Sequence, residues 1–185
     1  MPQWDVLVAG GGNAALCAAI AAARAGRRVL IVEGAPKFYR GGNTRHTRNM
    51  RCAHDHATDT LTGPYSEEEF FDDLMRVTGG NTDQDLSRMM IAQSKPMLDW
   101  IQQQGVRFQP SLGGTISLGR TNSFFLGGGR SMLNALYRTA QGLGVESGVD
   151  GVVGIGERGR LRGPREPGAR SSPGVLQVEH GASWT

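Results

Sequence analysis

The chain has 185 residues, 28 of them Gly, and a formal net charge of +3, a glycine share about twice the ~7% of ordinary globular chains. Glycine and the 8 prolines together stay below the ~25–30% that marks low complexity and follow no three-residue collagen period, which leaves a folded, loop-rich protein. All but two of the 20 basic residues are Arg, the exceptions being Lys37 and Lys95, and no basic run with interleaved aromatics or nucleic-acid motif spacing appears, so nucleic acid is excluded from the expected partners.

Asp5-Val6-Leu7-Val8-Ala9 is a short apolar run ending at Gly10-Gly11-Gly12, and Asn13 to Ala25 reads as an Ala-rich helix closed by Gly26. Arg28 to Val32 is a second apolar, β-branched run. Strand, glycine turn, helix and strand within about thirty residues make a βαβ unit, whose strands must be parallel. The segment from Arg40 to His56 is dense in Gly, Arg, His and Asn and is expected to be a functional loop.

Ser66-Glu67-Glu68-Glu69 has the capping-box pattern and starts a helix expected to reach Val77. Gly79-Gly80 break it, Thr82 or Asp83 caps a second helix to about Ser94, and Pro96 opens a third that ends before Gly105. These helices are expected to pack on the sheet and to carry no chemistry. Phe70, Phe71, Leu74, Met89, Met90 and Trp100 fall at helical spacing and read as core. A strand is expected at Val106 to Phe108, and Gly127-Gly128-Gly129 lead into a helix from Ser131 to Gln141. The fold class is therefore α/β, a Rossmann-like βαβ domain with inserted helices.

Gly10-Gly11-Gly12-Asn13-Ala14-Ala15 fits GxGxxA. The first glycine permits the tight turn, the second lets backbone approach a pyrophosphate, and Ala15 allows close helix-to-strand packing. The helix N-terminus offers its N–H groups and positive dipole end to that pyrophosphate. Glu33, at the end of the second strand, can accept from ribose hydroxyls and would repel a 2′-phosphate, which disfavours NADP. The competing reading is a βαβ unit whose glycines only make a turn, and the motif by itself leaves FAD and NAD both open.

The blocks Asp5 to Ala19, Gly41-Gly42-Asn43-Thr44-Arg45-His46-Thr47-Arg48-Asn49, and Arg120-Thr121-Asn122 with Gly127-Gly128-Gly129 resemble the fumarate reductase and succinate dehydrogenase flavoproteins, and among them the FAD-dependent tricarballylate dehydrogenases. The resemblance covers about residues 4 to 146 and implies FAD. Where the succinate dehydrogenase branch carries a flavin-linked histidine in a Ser-His-Thr triplet, the matching residues are Gly42-Asn43-Thr44, so the implied FAD is noncovalent. Its implied contacts are Gly10, Gly12, Asn13, Ala14, Glu33, Gly41, Gly42, Asn43 and Thr44.

Arg40, Arg45, Arg48 and Arg51, with His46, His54 and His56 interleaved, would concentrate positive charge beside the flavin, and Arg forks match carboxylates bidentately. A tricarboxylic acid would use such a surface, and Arg45, Arg48 and Arg120 are the candidate substrate contacts. Any one of these arginines could instead pair with Asp55, Asp59 or the pyrophosphate. His46, His54, Asp55, His56 and Cys52 lack a separated ligand pair of the zinc kind, so no metal is expected. The implied reaction is dehydrogenation of tricarballylate to aconitate, with an unidentified electron acceptor. Related dicarboxylates or steroid-like substrates, and an inactive FAD-binding remnant, are the alternatives. No catalytic base is identifiable; the family's catalytic Arg and His lie later in a longer chain.

Cys17 and Cys52 form no CxxC pair, and the longest apolar run, Ala14 to Ala23, is ten residues with no basic leader. Two free thiols, no transmembrane segment and a cytoplasmic location are expected. By composition the chain divides into residues 1–147, the N-terminal part of the FAD-binding domain, and residues 148–185, where Gly, Ala, Arg, Pro and Ser make 22 of 38 residues. No Gly-Asp dipeptide, the family's later closure of the FAD site, occurs. The chain is therefore expected to be incomplete relative to the family, with residues 156–185 poorly packed, as a shifted reading frame would produce.

Overall fold

The computed structural model describes residues 3–111, 118–149 and the strand segments 154–155, 161–162 and 175–176. The chain divides into two compact units, Met1–Thr44 with Tyr137–Thr185, and Arg45–Leu136. Composition places its boundary at 147/148 instead, because composition does not register the non-local pairing that returns the later chain to the first unit.

In the first unit, β1 (Val6–Ala9), α1 (Asn13–Arg24) and β2 (Val29–Glu33) form the expected βαβ unit. β2 is the central strand of a three-stranded parallel sheet, with Val6 opposite Val29 and Ala9 opposite Val32. Its other neighbour, β5 (Glu146–Val149), runs parallel with Leu30 opposite Glu146. The core comes from Leu16, Ala19 and Ile20 of α1 and Val29 and Ile31 of β2, all at most 1% exposed. Asp5 ties the sheet edge: its carboxylate accepts from the Arg28 backbone N–H at 2.8 Å and from the Arg28 guanidinium.

The second unit begins inside the segment expected to be loop. A 3-10 turn (Gly42–His46) spans the boundary, and β3 (Asn49–Arg51) follows it, paired antiparallel with β4 (Asn122–Phe124). Three polar-flanked residues show no period of their own, so this strand exists through its distant partner. α2 (Glu67–Thr78) starts where expected, Ser66 accepting from the Glu69 N–H at 3.1 Å, and stops at Gly79 with φ 60°. The reciprocal half of the capping box is replaced, because the Glu69 carboxylate accepts from Arg120.

α3 runs unbroken from Gln84 to Gln103, capped by Asp83 and with Pro96 inside it, where two helices are expected from the sequence. Its buried positions are Ser87, Ile91, Ser94, Leu98 and Ile101, spaced four, three, four and three. That stripe passes through Pro96 without losing phase, and packing along it outweighs the ~3 kcal/mol cost of an interior proline. The same stripe overturns the expectation that Met89 and Met90 are core: they are 59% and 47% exposed, because the small Ser87 and Ser94 set the buried face.

α2 and α3 share a core with Ala53, Tyr65, Phe70, Phe71 and Ile91, so these helices build a core of their own unit. At Val106 to Phe108 the expected strand is reduced to one bridge, between Phe108 and Phe125. α4 (Leu118–Thr121) leads into β4, and α5 (Gly128–Gly142) begins at the glycine triplet, where Gly129 N–H donates to the Thr47 carbonyl at 2.8 Å. β6 (Gly154–Ile155), β7 (Leu161–Arg162) and β8 (Val175–Leu176) pair antiparallel. The remainder of the tail expected to be poorly packed lies outside the described residues.

Candidate cofactor site

The site assembles from three short segments of the first unit. Gly10 takes φ 98°, a conformation open to glycine, and its N–H donates to the Val32 carbonyl at 2.7 Å. This seats the turn beside the end of β2. Gly12 caps α1 without a side chain, and its carbonyl accepts from the Leu16 N–H. The Asn13 N–H is taken by Thr44 Oγ1 at 3.1 Å. A Cβ on Gly12 would come within 3.3 Å of that same Oγ1 and 3.5 Å of the Gly41 carbonyl, so the turn and the second glycine segment are in close approach.

Glu33 binds those segments together. Its Oε1 accepts from the Ala35 N–H at 3.0 Å and its Oε2 from the Gly41 N–H at 3.1 Å. Each carboxylate oxygen keeps a second acceptor site. Gly41 and Gly42 have φ 100° and 51°, and the Thr44 N–H donates back to the Gly41 carbonyl. Gly10, Gly12, Asn13, Ala14, Glu33, Gly41, Gly42, Asn43 and Thr44 thus belong to one locus, where the glycine-capped N-terminus of α1, its first N–H on Thr44, lies with glycine backbone and a carboxylate.

Tyr137, which sequence reasoning passes over, and Arg40, expected from the sequence to add positive charge beside the flavin, complete it. The Tyr137 hydroxyl donates to the Gly11 carbonyl at 3.1 Å, bridging 126 positions of sequence. The Arg40 guanidinium lies 3.5 Å from the centroid of the Tyr137 ring. Burial raises the Tyr137 pKa, the Arg40 charge lowers it and the Glu33 charge adds to the rise. No local pattern marks Tyr137.

The candidate substrate arginines belong to the second unit. Arg120 is engaged: its guanidinium donates to both Glu69 carboxylate oxygens and to the Pro64 carbonyl at 2.7 Å, and the Arg120 hydrogen bond holds the Glu69 carboxyl below its usual range. Arg48 is exposed and Arg45 half-buried. Arg51 donates to the Tyr65 hydroxyl and pairs with Asp73 at 3.5 Å, so it is a structural arginine. Asp55 pairs with Lys95.

The His54 ring nitrogens lie on the carbonyl oxygens of Cys52 and Gly63. Among the described residues no three His, Cys, Asp or Glu side chains group to hold a metal ion. Cys17 and Cys52 are free thiols. Burial, assisted by Asp99, pushes the Cys52 thiol up to about 12, far from a reactive thiolate. No described helix is long and apolar enough to cross a membrane.

The family model described as FAD binding domain matches residues 5–178. The chain belongs to that family. Its fold is the family's α/β fold and its cofactor is FAD. Digoxin reductase of Eggerthella lenta is 29% identical over 109 residues, 58% of this chain and 20% of its own length. NADH:fumarate oxidoreductase of Klebsiella pneumoniae is 29% identical over 122 residues, 65% of this chain and 13% of its own.

Among solved structures, the 3-ketosteroid-delta4-(5alpha)-dehydrogenase of Rhodococcus jostii RHA1 superposes with TM-score 0.65 at 21% identity, over 88% of this chain and 42% of that one. A flavocytochrome c3 fumarate reductase in an open conformation gives TM-score 0.64 at 25% identity, over 81% and 27%. The chain therefore spans less than half the length of each of these relatives, from 13% to 42%.

The site fits the cofactor. A dinucleotide's pyrophosphate needs backbone N–H donors with no side chains crowding them. Gly10 to Gly12 provide that approach: the cap residue Gly12 has no side chain, and the Asn13 N–H is the one N-terminal group of α1 shown on a side chain, Thr44 Oγ1.

Proposed function

We propose that the chain is the cofactor-binding part of an FAD-dependent dehydrogenase acting on a carboxylic acid, with tricarballylate as the leading substrate. The observation that carries the reading is the joining of the GxGxxA turn to the Gly-Gly-Asn-Thr segment, through Thr44 Oγ1 on the Asn13 N–H and Glu33 on the Gly41 N–H. Both segments belong to the blocks that resemble the tricarballylate dehydrogenases. Gly10, Gly12, Asn13 and Ala14 hold the pyrophosphate, Glu33 the ribose, and Gly41 to Thr44 the remainder. Asn43 has no nucleophilic nitrogen to bond the flavin, so the cofactor is held noncovalently.

Bound flavin supplies the hydride acceptor. The chain's own part is to bind and orient. Arg45, Arg48 and Arg120 are the candidate donor forks for substrate carboxylates, Arg120 after release of Glu69. The electron acceptor lies with another protein or small molecule.

Likeness to a fumarate oxidoreductase and a steroid dehydrogenase supports a second reading, a dicarboxylate or steroid-like substrate on the same cofactor site. The visible spectrum of the purified chain after incubation with FAD tests the binding reading, and a chain that takes up no flavin refutes it. Turnover of tricarballylate against succinate in a full-length relative carrying the same Gly41 to Asn49 block separates the two substrate readings.

A further inference from the structure

We propose that Tyr137 is a positioning residue for the pyrophosphate of the cofactor, acting through the Gly11–Gly12 peptide; the inference rests on the FAD-binding reading above. A trans peptide carries its C=O and the following N–H on opposite edges of one plane. The Tyr137 hydroxyl donates to the Gly11 carbonyl at 3.1 Å and so pins one edge of that plane to α5. The other edge is the Gly12 N–H, which is thereby turned away from α5 at the N-terminal end of α1, where Gly12 is the cap. An N–H held in advance toward the phosphate oxygens needs no reorientation on binding, and preorganisation of this kind raises affinity.

Three features hold the tyrosine in place. The ring is 2% exposed, the Arg40 guanidinium stacks 3.5 Å from its centroid, and burial keeps the hydroxyl protonated and able to donate. The arrangement also explains Gly11, the position that the GxGxxA pattern leaves unspecified. A Cβ there would fall on the Tyr137 hydroxyl and 2.6 Å from Glu33 Oε2, so this position is glycine to admit the tyrosine rather than to admit the ligand.

Tyr137→Phe in the full chain keeps the ring and the Arg40 stack and removes only the donor. The dissociation constant for FAD is expected to rise about fivefold to tenfold, the worth of one hydrogen bond. That for adenosine, followed by NMR titration, is expected to stay within about twofold, because adenosine has no phosphate. The phosphorus resonances of bound FAD are expected to shift. A purely structural role would weaken both ligands equally and overturn the proposal, as would unchanged FAD affinity.

Should Tyr137→Phe melt at room temperature, Arg40→Lys tests the same device. It keeps the positive charge and the hydroxyl, loosens the planar stack on the ring and is expected to weaken FAD while sparing adenosine; equal loss of both, or unchanged FAD affinity, overturns the proposal. A wild-type chain that binds no FAD overturns the binding reading and this inference together, whereas FAD binding indifferent to Tyr137→Phe overturns this inference alone.

Discussion

Gly11 and Tyr137 occupy complementary space: the hydroxyl fills the position a side chain would take, and it donates to the carbonyl of the same glycine. Gly11→Ala therefore forces either the tyrosine or the turn to move. Overpacking of this kind costs about 1–3 kcal/mol, and a loss of FAD affinity of tenfold or more is expected, since about 1.4 kcal/mol is a factor of ten. Tyr137→Phe removes the clashing oxygen, so Gly11→Ala should cost less in that background. A double-mutant cycle read by FAD titration measures the coupling; strictly additive effects would show that the two residues do not compete for the space.

Thr44 reaches the same turn from the other side. Thr44→Val keeps the shape and removes the acceptor for the Asn13 N–H, so a helix-terminal donor loses a side-chain partner. The expected loss is about 1 kcal/mol, close to a fivefold fall in FAD affinity. Thr44→Ser keeps the oxygen and should bind nearly as the wild type does. If valine and serine behave alike, the hydroxyl is not what joins the two glycine segments.

These two contacts show where the sequence is readable and where it is not. β1, α1 and β2 follow from local rules, since apolar runs of strand length flank an Ala-rich stretch, and Gly10 marks the turn between them. The caps at Ser66 and Asp83 are readable for the same reason, as each acts within three residues of itself. Glu33 is placed by its distance from the glycines. Tyr137 on Gly11, β3 on β4 and Arg120 on Glu69 are pairings across tens to more than a hundred positions, and no local period encodes them. The phase of α3 was hidden because two serines occupy its buried face, while methionines of ordinary core type face outward.

Pro96 supplies a test of that helix. It is exposed, within an unbroken α3, so Pro96→Ala removes no packing and restores one backbone donor. An interior proline costs about 3 kcal/mol relative to Ala, offset by up to ~1 kcal/mol from the stiffer unfolded chain. A net gain of about 2 kcal/mol is expected in urea unfolding. A variant no more stable than the wild type would mean that α3 bends or breaks at this position.

Asp73 contributes to the pH dependence of the second unit. The Arg76 hydrogen bond, followed by that from the Tyr65 hydroxyl, holds its carboxyl below the ordinary range. A folded value lying below the unfolded one gives stability that is complete above the unfolded pKa and is lost as pH falls through the folded one, so the window lies below about pH 4. Asp73→Asn keeps an acceptor for Tyr65 but no charge for Arg51 and Arg76. Its melting temperature should lie below that of the wild type near neutrality, and the gap should narrow as the pH falls below about 4, because the unfolded carboxyl takes up its proton before the folded one does. A gap that stays constant from about pH 7 to about pH 3 would assign the effect of the substitution to packing and leave the charge of Asp73 without a part in stability.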